Sequence, residues 1–219
     1  MSRRMTVVFH DEELYTDLKV EAVRRHKPAS DIVADAVVDF NQGLDARLID
    51  EGVAQELKGL RINPIRMAYD VPSEREALKR AIPALERAGF RRRRMLIYVL
   101  YNFRDSPEEF LDRIRDLLDW GVVAYPMRFD PRDSLKKNQH IGAKWTAEQL
   151  EMVAKARRVL GYGGAFPPYE GLRRKFLNAN CFEEAFALRP PGDRGGNGHE
   201  SVEELLTTGP LTSREVATF

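Results

Sequence analysis

Apolar positions fall into two regimes along the chain. In the first forty or so residues they are sparse and regularly spaced. Met5–Phe9 reads as a short strand, and Leu14, Leu18, Ala22 and Val23 then recur at helical spacing. Asp11 is placed to cap that helix, with Glu12 and Glu13 in its first turn, and Arg24-Arg25-His26-Lys27 suits its C-terminus. Pro28 interrupts the pattern. A second helix starts at Ala29 or Ser30, with Ile32, Val33, Ala36 and Val37 on one face. The order is strand, helix, helix.

From residue 37 onward strands and helices alternate. The pattern predicts strands over Val37–Asn41, Ile62–Tyr69, Met95–Tyr101 and Val122–Phe129, and helices over Glu51–Leu60, Ser73–Ala88, Ser106–Trp120 and Trp145–Leu160. Ser73 and Glu76 have the spacing of a capping box, Pro107 suits a first helical position, and Thr146 suits an N-cap. Met95–Tyr101 is almost wholly apolar, which predicts burial on both faces. Such alternation implies an α/β fold with a parallel sheet and right-handed crossovers. Four βα units are too few to close an eightfold barrel, so they predict a partial barrel or an open sheet. Gly161-Tyr162-Gly163-Gly164 follows a helix and reads as a stop and turn, after which Phe166–Tyr169 packs back on the sheet. From residue 189 the Pro- and Gly-rich composition is that of a linker, with a short capped helix over Ser201–Leu206 and a mobile tail otherwise. The domains expected are therefore 1–40, 38–188 and 189–219.

Composition narrows the function. The chain has 219 residues and a net charge of +1, so any nucleic-acid binding must come from local placement of Arg and Lys. Cys181 is the single cysteine, which fits a reducing cytosol and cannot hold an iron–sulfur cluster alone. The start of the chain lacks the long apolar core of a signal peptide, and no apolar run reaches the roughly 18 residues of a membrane span, so a cytoplasmic protein without a membrane partner is expected. His10, His26, His140 and His199 show no metal-ligand spacing. Arg91–Arg94 is the strongest charge run. It reads first as a solvated turn, and otherwise as a contact for phosphates or an acidic partner.

The stretch Arg3-Arg4-Met5-Thr6-Val7-Val8-Phe9, followed by Asp11-Glu12-Glu13-Leu14-Tyr15, Lys19-Val20-Glu21-Ala22 and Ser30-Asp31-Ile32-Val33-Ala34, resembles a ribbon-helix-helix repressor domain. In that family two strands pair across a dimer axis and the ribbon enters the major groove. The resemblance implies double-stranded DNA as partner and a homodimer formed through the ribbon. Met5, Val7 and Phe9 would face the helices, while Arg3, Arg4, Thr6 and Val8 would face DNA. Arg4 suits guanine, Thr6 either base type, and Val8 a thymine methyl. The first turn of the second helix, with Ser30, would offer backbone N–H groups to phosphate. Against this, residues 1–40 hold six Lys/Arg and eight Asp/Glu. An ordinary βα element is the competing reading.

Residues 38–188 resemble the second half of a radical S-adenosylmethionine partial barrel. The resemblance rests on Val38-Asp39-Phe40-Asn41-Gln42-Gly43-Leu44-Asp45-Ala46-Arg47, Tyr98–Phe103, Trp120–Arg128 and Gly161–Ala165. It implies a site at the carboxyl ends of the strands where Asn41, Gln42, Asp45, Arg47, Tyr101, Asn102 and Arg128 contact S-adenosylmethionine, with Tyr69 and Asp70 on the same rim. The CxxxCxxC loop that holds the family's cluster is not in this sequence. Independent radical chemistry is therefore not expected, no cofactor is assigned, and the adenosylmethionine site is at most vestigial. The favoured expectation is a dimeric, sequence-specific transcriptional regulator whose α/β domain is an effector or oligomerisation module. The alternative is a radical S-adenosylmethionine remnant or subunit that binds S-adenosylmethionine or a chain supplying the cluster.

Overall fold

The computed structural model describes residues 12–29, 37–38, 40–134 and 136–188. The expected ribbon strand, the second helix beyond Ala29 and the tail from residue 189 lie outside the described residues. The first helix forms as expected: α1 spans Glu12–Arg24. It ends in a Schellman closure, with the Lys27 N–H donating to the Ala22 carbonyl at 3.1 Å and the His26 N–H to Val23 at 3.2 Å. His26 takes the required left-handed backbone, φ 51°. Pro28 then has no N–H with which to continue the ladder, and helical backbone resumes at Ala29.

The rest is α/β. In chain order come β1 (Val37–Val38), α2 (Glu51–Lys58), β2 (Arg61–Ile62), β3 (Ile65–Ala68), α3 (Arg75–Arg87), β4 (Met95–Tyr101), α4 (Pro107–Asp119), β5 (Val123–Arg128), α5 (Ala147–Val159), α6 (Glu170–Asn178) and α7 (Phe182–Phe186). Strands β3, β4 and β5 form a parallel sheet in that order, with Ile65 opposite Met95 and Leu96 opposite Val123. Strands β1 and β2 pair in parallel as a separate ladder, Val37 opposite Arg61.

Three expectations need correction. Four continuous βα units do not form among the described residues. The predicted Ile62–Tyr69 strand breaks at Asn63–Pro64, a cis peptide, because Pro64 brings no N–H to a ladder. The predicted Val37–Asn41 strand stops at Val38. The chain turns at Phe40–Gly43, with the Gly43 N–H on the Phe40 carbonyl at 2.8 Å, and rejoins β3 through a single bridge, Leu44 to Met67. Between the Val38–Ile62 pair and that bridge the outer segment advances six residues and its neighbour five. The extra residue is absorbed where Gly43 adopts φ 85°, a bulge-like step.

The second correction concerns the start of α3. Ser73 falls inside a 3₁₀ turn, Pro72–Glu74, and so cannot precede the helix as its cap. The Glu74 carboxylate does the capping instead, accepting from the Asp70 N–H at 2.7 Å and the Val71 N–H at 3.2 Å. Ser106/Glu109 and Thr146/Gln149 do form reciprocal boxes, at the starts of α4 and α5.

Third, β4 is not buried on both faces. Met95, Ile97, Val99 and Tyr101 join Ile65, Met67, Tyr69 and Ala124 in one core with the apolar faces of α2 to α7. On the opposite face Leu96, Val123 and Ala165 form a small second cluster, and Tyr98 and Leu100 stay half-buried. The helices thus cover one side of the sheet. An aromatic group dominates that core: Phe110 lies 4.9 Å from Tyr101 and 5.7 Å from Phe186, centroid to centroid. The Gly161 turn folds back as expected, and Phe166 pairs antiparallel with Ala124. A Cβ on Gly161 would come within 2.4 Å of the Arg157 carbonyl, so a side chain there is excluded.

Candidate functional site

Parallel strands place their carboxyl ends together, and loops leaving that edge are where α/β folds gather ligand groups. A cavity of about 470 Å³ lies on the face of the sheet that no described helix covers, and runs from Leu96 to this edge at Leu100. Its wall is Leu96, Tyr98 and Leu100 of β4 with Tyr125 and Met127 of β5; its polar rim is Asn41, Gln42 and Asp70. Tyr98 and Tyr125 meet edge to face at 5.7 Å. A smaller cavity of about 220 Å³ adjoins it, sharing Gln42 and Ala68 and lined further by Leu44–Arg47 and Glu74.

The predicted residues divide into three groups. Asn41 and Gln42 line the larger cavity. Asp45 and Arg47 line the smaller one but are committed to each other: the Arg47 guanidinium donates from Nε at 2.9 Å and Nη2 at 2.7 Å, and the Arg47 N–H donates at 3.0 Å. Those hydrogen bonds hold the Asp45 carboxyl down at about 2.

Tyr101, Asn102 and Arg128 lie apart from Asn41 and Gln42. Tyr101 is 1% exposed, on the helix-facing side between Phe110 and Trp145, and burial pushes its phenol up. Asn102 is fully buried at φ 70°. Its amide donates to the carbonyls of Phe129 at 3.2 Å and His140 at 2.9 Å, and its Oδ1 accepts from Gly142 at 2.7 Å. Arg128 also donates to the His140 carbonyl, at 2.9 Å. These two polar side chains bind the 129–142 loop to the sheet edge. Tyr69 is likewise inward, donating to Asp116 at 3.0 Å beside Trp120.

Asp70 is the carboxylate that combines burial with a place on the cavity rim. Burial is the largest influence on it and raises its carboxyl, partly opposed by the Leu100 N–H donating to its Oδ1 at 2.9 Å; nearby Glu74 raises it further. Sequence reasoning missed Tyr98, Tyr125 and Met127, whose strand positions read as core, and the Asp105–Arg113 pair. Arg113, 2% exposed, meets the Asp105 carboxylate at 2.6 Å and also donates to the Leu100 carbonyl. No local pattern announces a pair eight residues apart across a loop and a helix.

The cavity offers an aromatic and aliphatic wall with two amides and one carboxylate on its rim. Such a lining can hold a ligand with an apolar body and hydrogen-bonding groups at its margin. It does not fit an iron–sulfur cluster, because the one cysteine, Cys181, leads into α7 and lines neither cavity. Among the described residues no group of His, Cys, Asp or Glu is placed to hold a metal, and no helix is long and apolar enough to cross a membrane. Arg3, Arg4, Thr6, Val8 and Ser30 lie outside the described residues. No protein-family model, curated protein or solved structure matches the chain.

Proposed function

We propose that the chain is a dimeric, sequence-specific DNA-binding regulator, with an N-terminal ribbon-helix-helix arm and an α/β domain as its effector or oligomerisation module. The observation that supports it most is α1. The helix closes at His26 and helical backbone resumes at Ala29, the succession such an arm requires. Its Val20 and Val23 are 61% and 75% exposed, apolar surface that a second arm would cover. Arg4, Thr6 and Val8 then read the major groove, Arg3 contacts the DNA beside them, and the first turn around Ser30 receives a phosphate. The test is selection of bound fragments from genomic DNA over a salt series. A short repeated site enriched in the bound pool, with Arg4→Ala losing the enrichment and keeping the fold, supports the reading. No enrichment at low salt refutes it.

A second reading, a radical S-adenosylmethionine remnant or subunit, is favoured by β4. Its sequence is that of a strand covered on both faces, yet Tyr98 and Leu100 are half-open over the 470 Å³ cavity. Calorimetric titration with S-adenosylmethionine tests it. Saturable binding weakened by Gln42→Ala supports it, and absence of heat at millimolar ligand removes it.

A further inference from the structure

The amino end of the sheet carries a second feature. β1 pairs in parallel with β2, the segment after β1 bridges β3 in parallel through Leu44 and Met67, and β3 pairs in parallel with β4, so the start of β1, where the chain arrives from the N-terminal arm, lies at the same end as the start of β4. The chain approaches β4 through Arg91 and the 3₁₀ turn Arg92–Arg94. Laterally β4 is two strands from β1, about 10 Å. Ala29, the last described residue of the arm, is eight residues before Val37, a reach of at most about 29 Å. The arm is therefore tethered to the end of the sheet that carries this run, within about 40 Å of it.

The arginines are not equivalent. Arg92 is occupied: it pairs with Glu86 at 2.7 Å and donates to the Trp120 carbonyl at 2.7 Å. Arg91 and Arg93 are exposed and, among the described residues, make no ion pair or side-chain hydrogen bond. Lys58 adds a cation alongside, its ammonium on the Gly89 carbonyl at 3.1 Å and over the Phe90 ring at 5.2 Å. The acidic neighbours Glu86 and Glu51 are already paired, with Arg92 and Arg87. Lys58 and Arg87 sit in last helical turns, where a cation complements the helix dipole. That reason does not extend to Arg91 and Arg93, which follow α3 beyond the Gly89 turn, φ 98°.

We propose that Arg91 and Arg93 form a phosphate-contacting surface that extends the DNA footprint of the arm onto the α/β domain. The proposal rests on the DNA-binding reading. Two guanidiniums aimed at backbone phosphates add affinity and salt dependence but read no bases. Each neutralised phosphate contributes about 0.9 to the slope of log K against log salt.

The experiment uses the full chain and labelled genomic duplexes, followed by anisotropy from about 50 to about 200 mM chloride. Arg91→Ala/Arg93→Ala is expected to lower the magnitude of the slope by about 1.8, leaving the ranking of duplexes and the unfolding midpoint unchanged. Arg91→Lys/Arg93→Lys is expected to restore most of the slope, since it keeps both charges. Equal slopes for wild type and the alanine variant overturn this inference and leave the DNA reading standing. Wild type that binds no duplex at low salt overturns both.

Discussion

Asn102 is the residue whose replacement separates a structural role from a ligand-binding one. Its side chain bridges Phe129, His140 and Gly142 through three hydrogen bonds, and its backbone sits at φ 70°. Alanine removes all three bonds, each worth about 1 kcal/mol net and more where a buried partner is left unpaired. It also places a Cβ-bearing residue without a compensating local hydrogen bond in the left-handed region, about 1 kcal/mol. The expected loss for Asn102→Ala is about 4 kcal/mol, or about 8–16 °C in Tm for a chain of this size. Asn102→Gly loses the same bonds but not the backbone preference, so it should be about 1 kcal/mol less destabilised. Urea unfolding followed by fluorescence of buried Trp145 gives both numbers, and hydrogen exchange at the Gly142 amide reports whether the loop has come loose. A loss under about 1 kcal/mol with Gly142 still protected would refute the bracket and return Asn102 to the ligand-binding set.

The other predictions are independent of that loop's hydrogen bonds. Asp105→Ala leaves the Arg113 guanidinium charged in the core and should cost about 3–5 kcal/mol, while Asp105→Ala/Arg113→Met should recover much of it; a harmless single variant would show the pair to be solvated. Asp45 should titrate near 2 by carbon-detected NMR and move up toward the ordinary carboxylate range in Arg47→Ala. Because its carboxyl is depressed in the folded state, the pairing stabilises above the unfolded value of about 3.9 and is lost as pH falls toward 2. An unmoved midpoint in the variant would assign the shift elsewhere. On the DNA-binding reading, Phe9→Ala should weaken the dimer, measured by sedimentation against concentration, and wild-type association would place Phe9 outside a shared core.

How much of this was legible in the sequence depended on whether the signal was local. Two of the expected caps are borne out, Ser106 with Pro107 opening α4 and Thr146 opening α5, because a cap is a contact within one turn, whereas Ser73 does not open α3. The break between β2 and β3 had its signal in Pro64, which cannot serve a central ladder, but the apolar positions on either side of it read as one strand over Ile62–Tyr69. The burial of β4 was not legible. A run such as Met95–Tyr101 has the same composition whether its second face meets a helix layer or a cavity, and only the absence of covering elements among the described residues distinguishes them. Asn102 fails for a related reason. A polar residue just past a strand reads as a ligand group, and its real partners come from a loop some thirty to forty positions later.

The polarity of the sheet keeps the two functional proposals experimentally separate. Asp70 lies at the carboxyl edge, its Oδ1 accepting from the Leu100 N–H, whereas Arg91–Arg94 and the start of β1 lie at the amino end. Strand β4 alone, seven residues at about 3.3 Å each, sets them some 20 Å apart. That exceeds the screening length of roughly 8 Å at physiological salt, so a charge changed at one end is weakly felt at the other. An Asp70 variant therefore tests the ligand cavity without altering the electrostatics of the arginine turn, and the Arg91/Arg93 variant tests the DNA surface without touching the cavity. Loss of DNA binding in both would point to damage of the shared sheet. Loss in the arginine variant alone would locate the contact at the amino end.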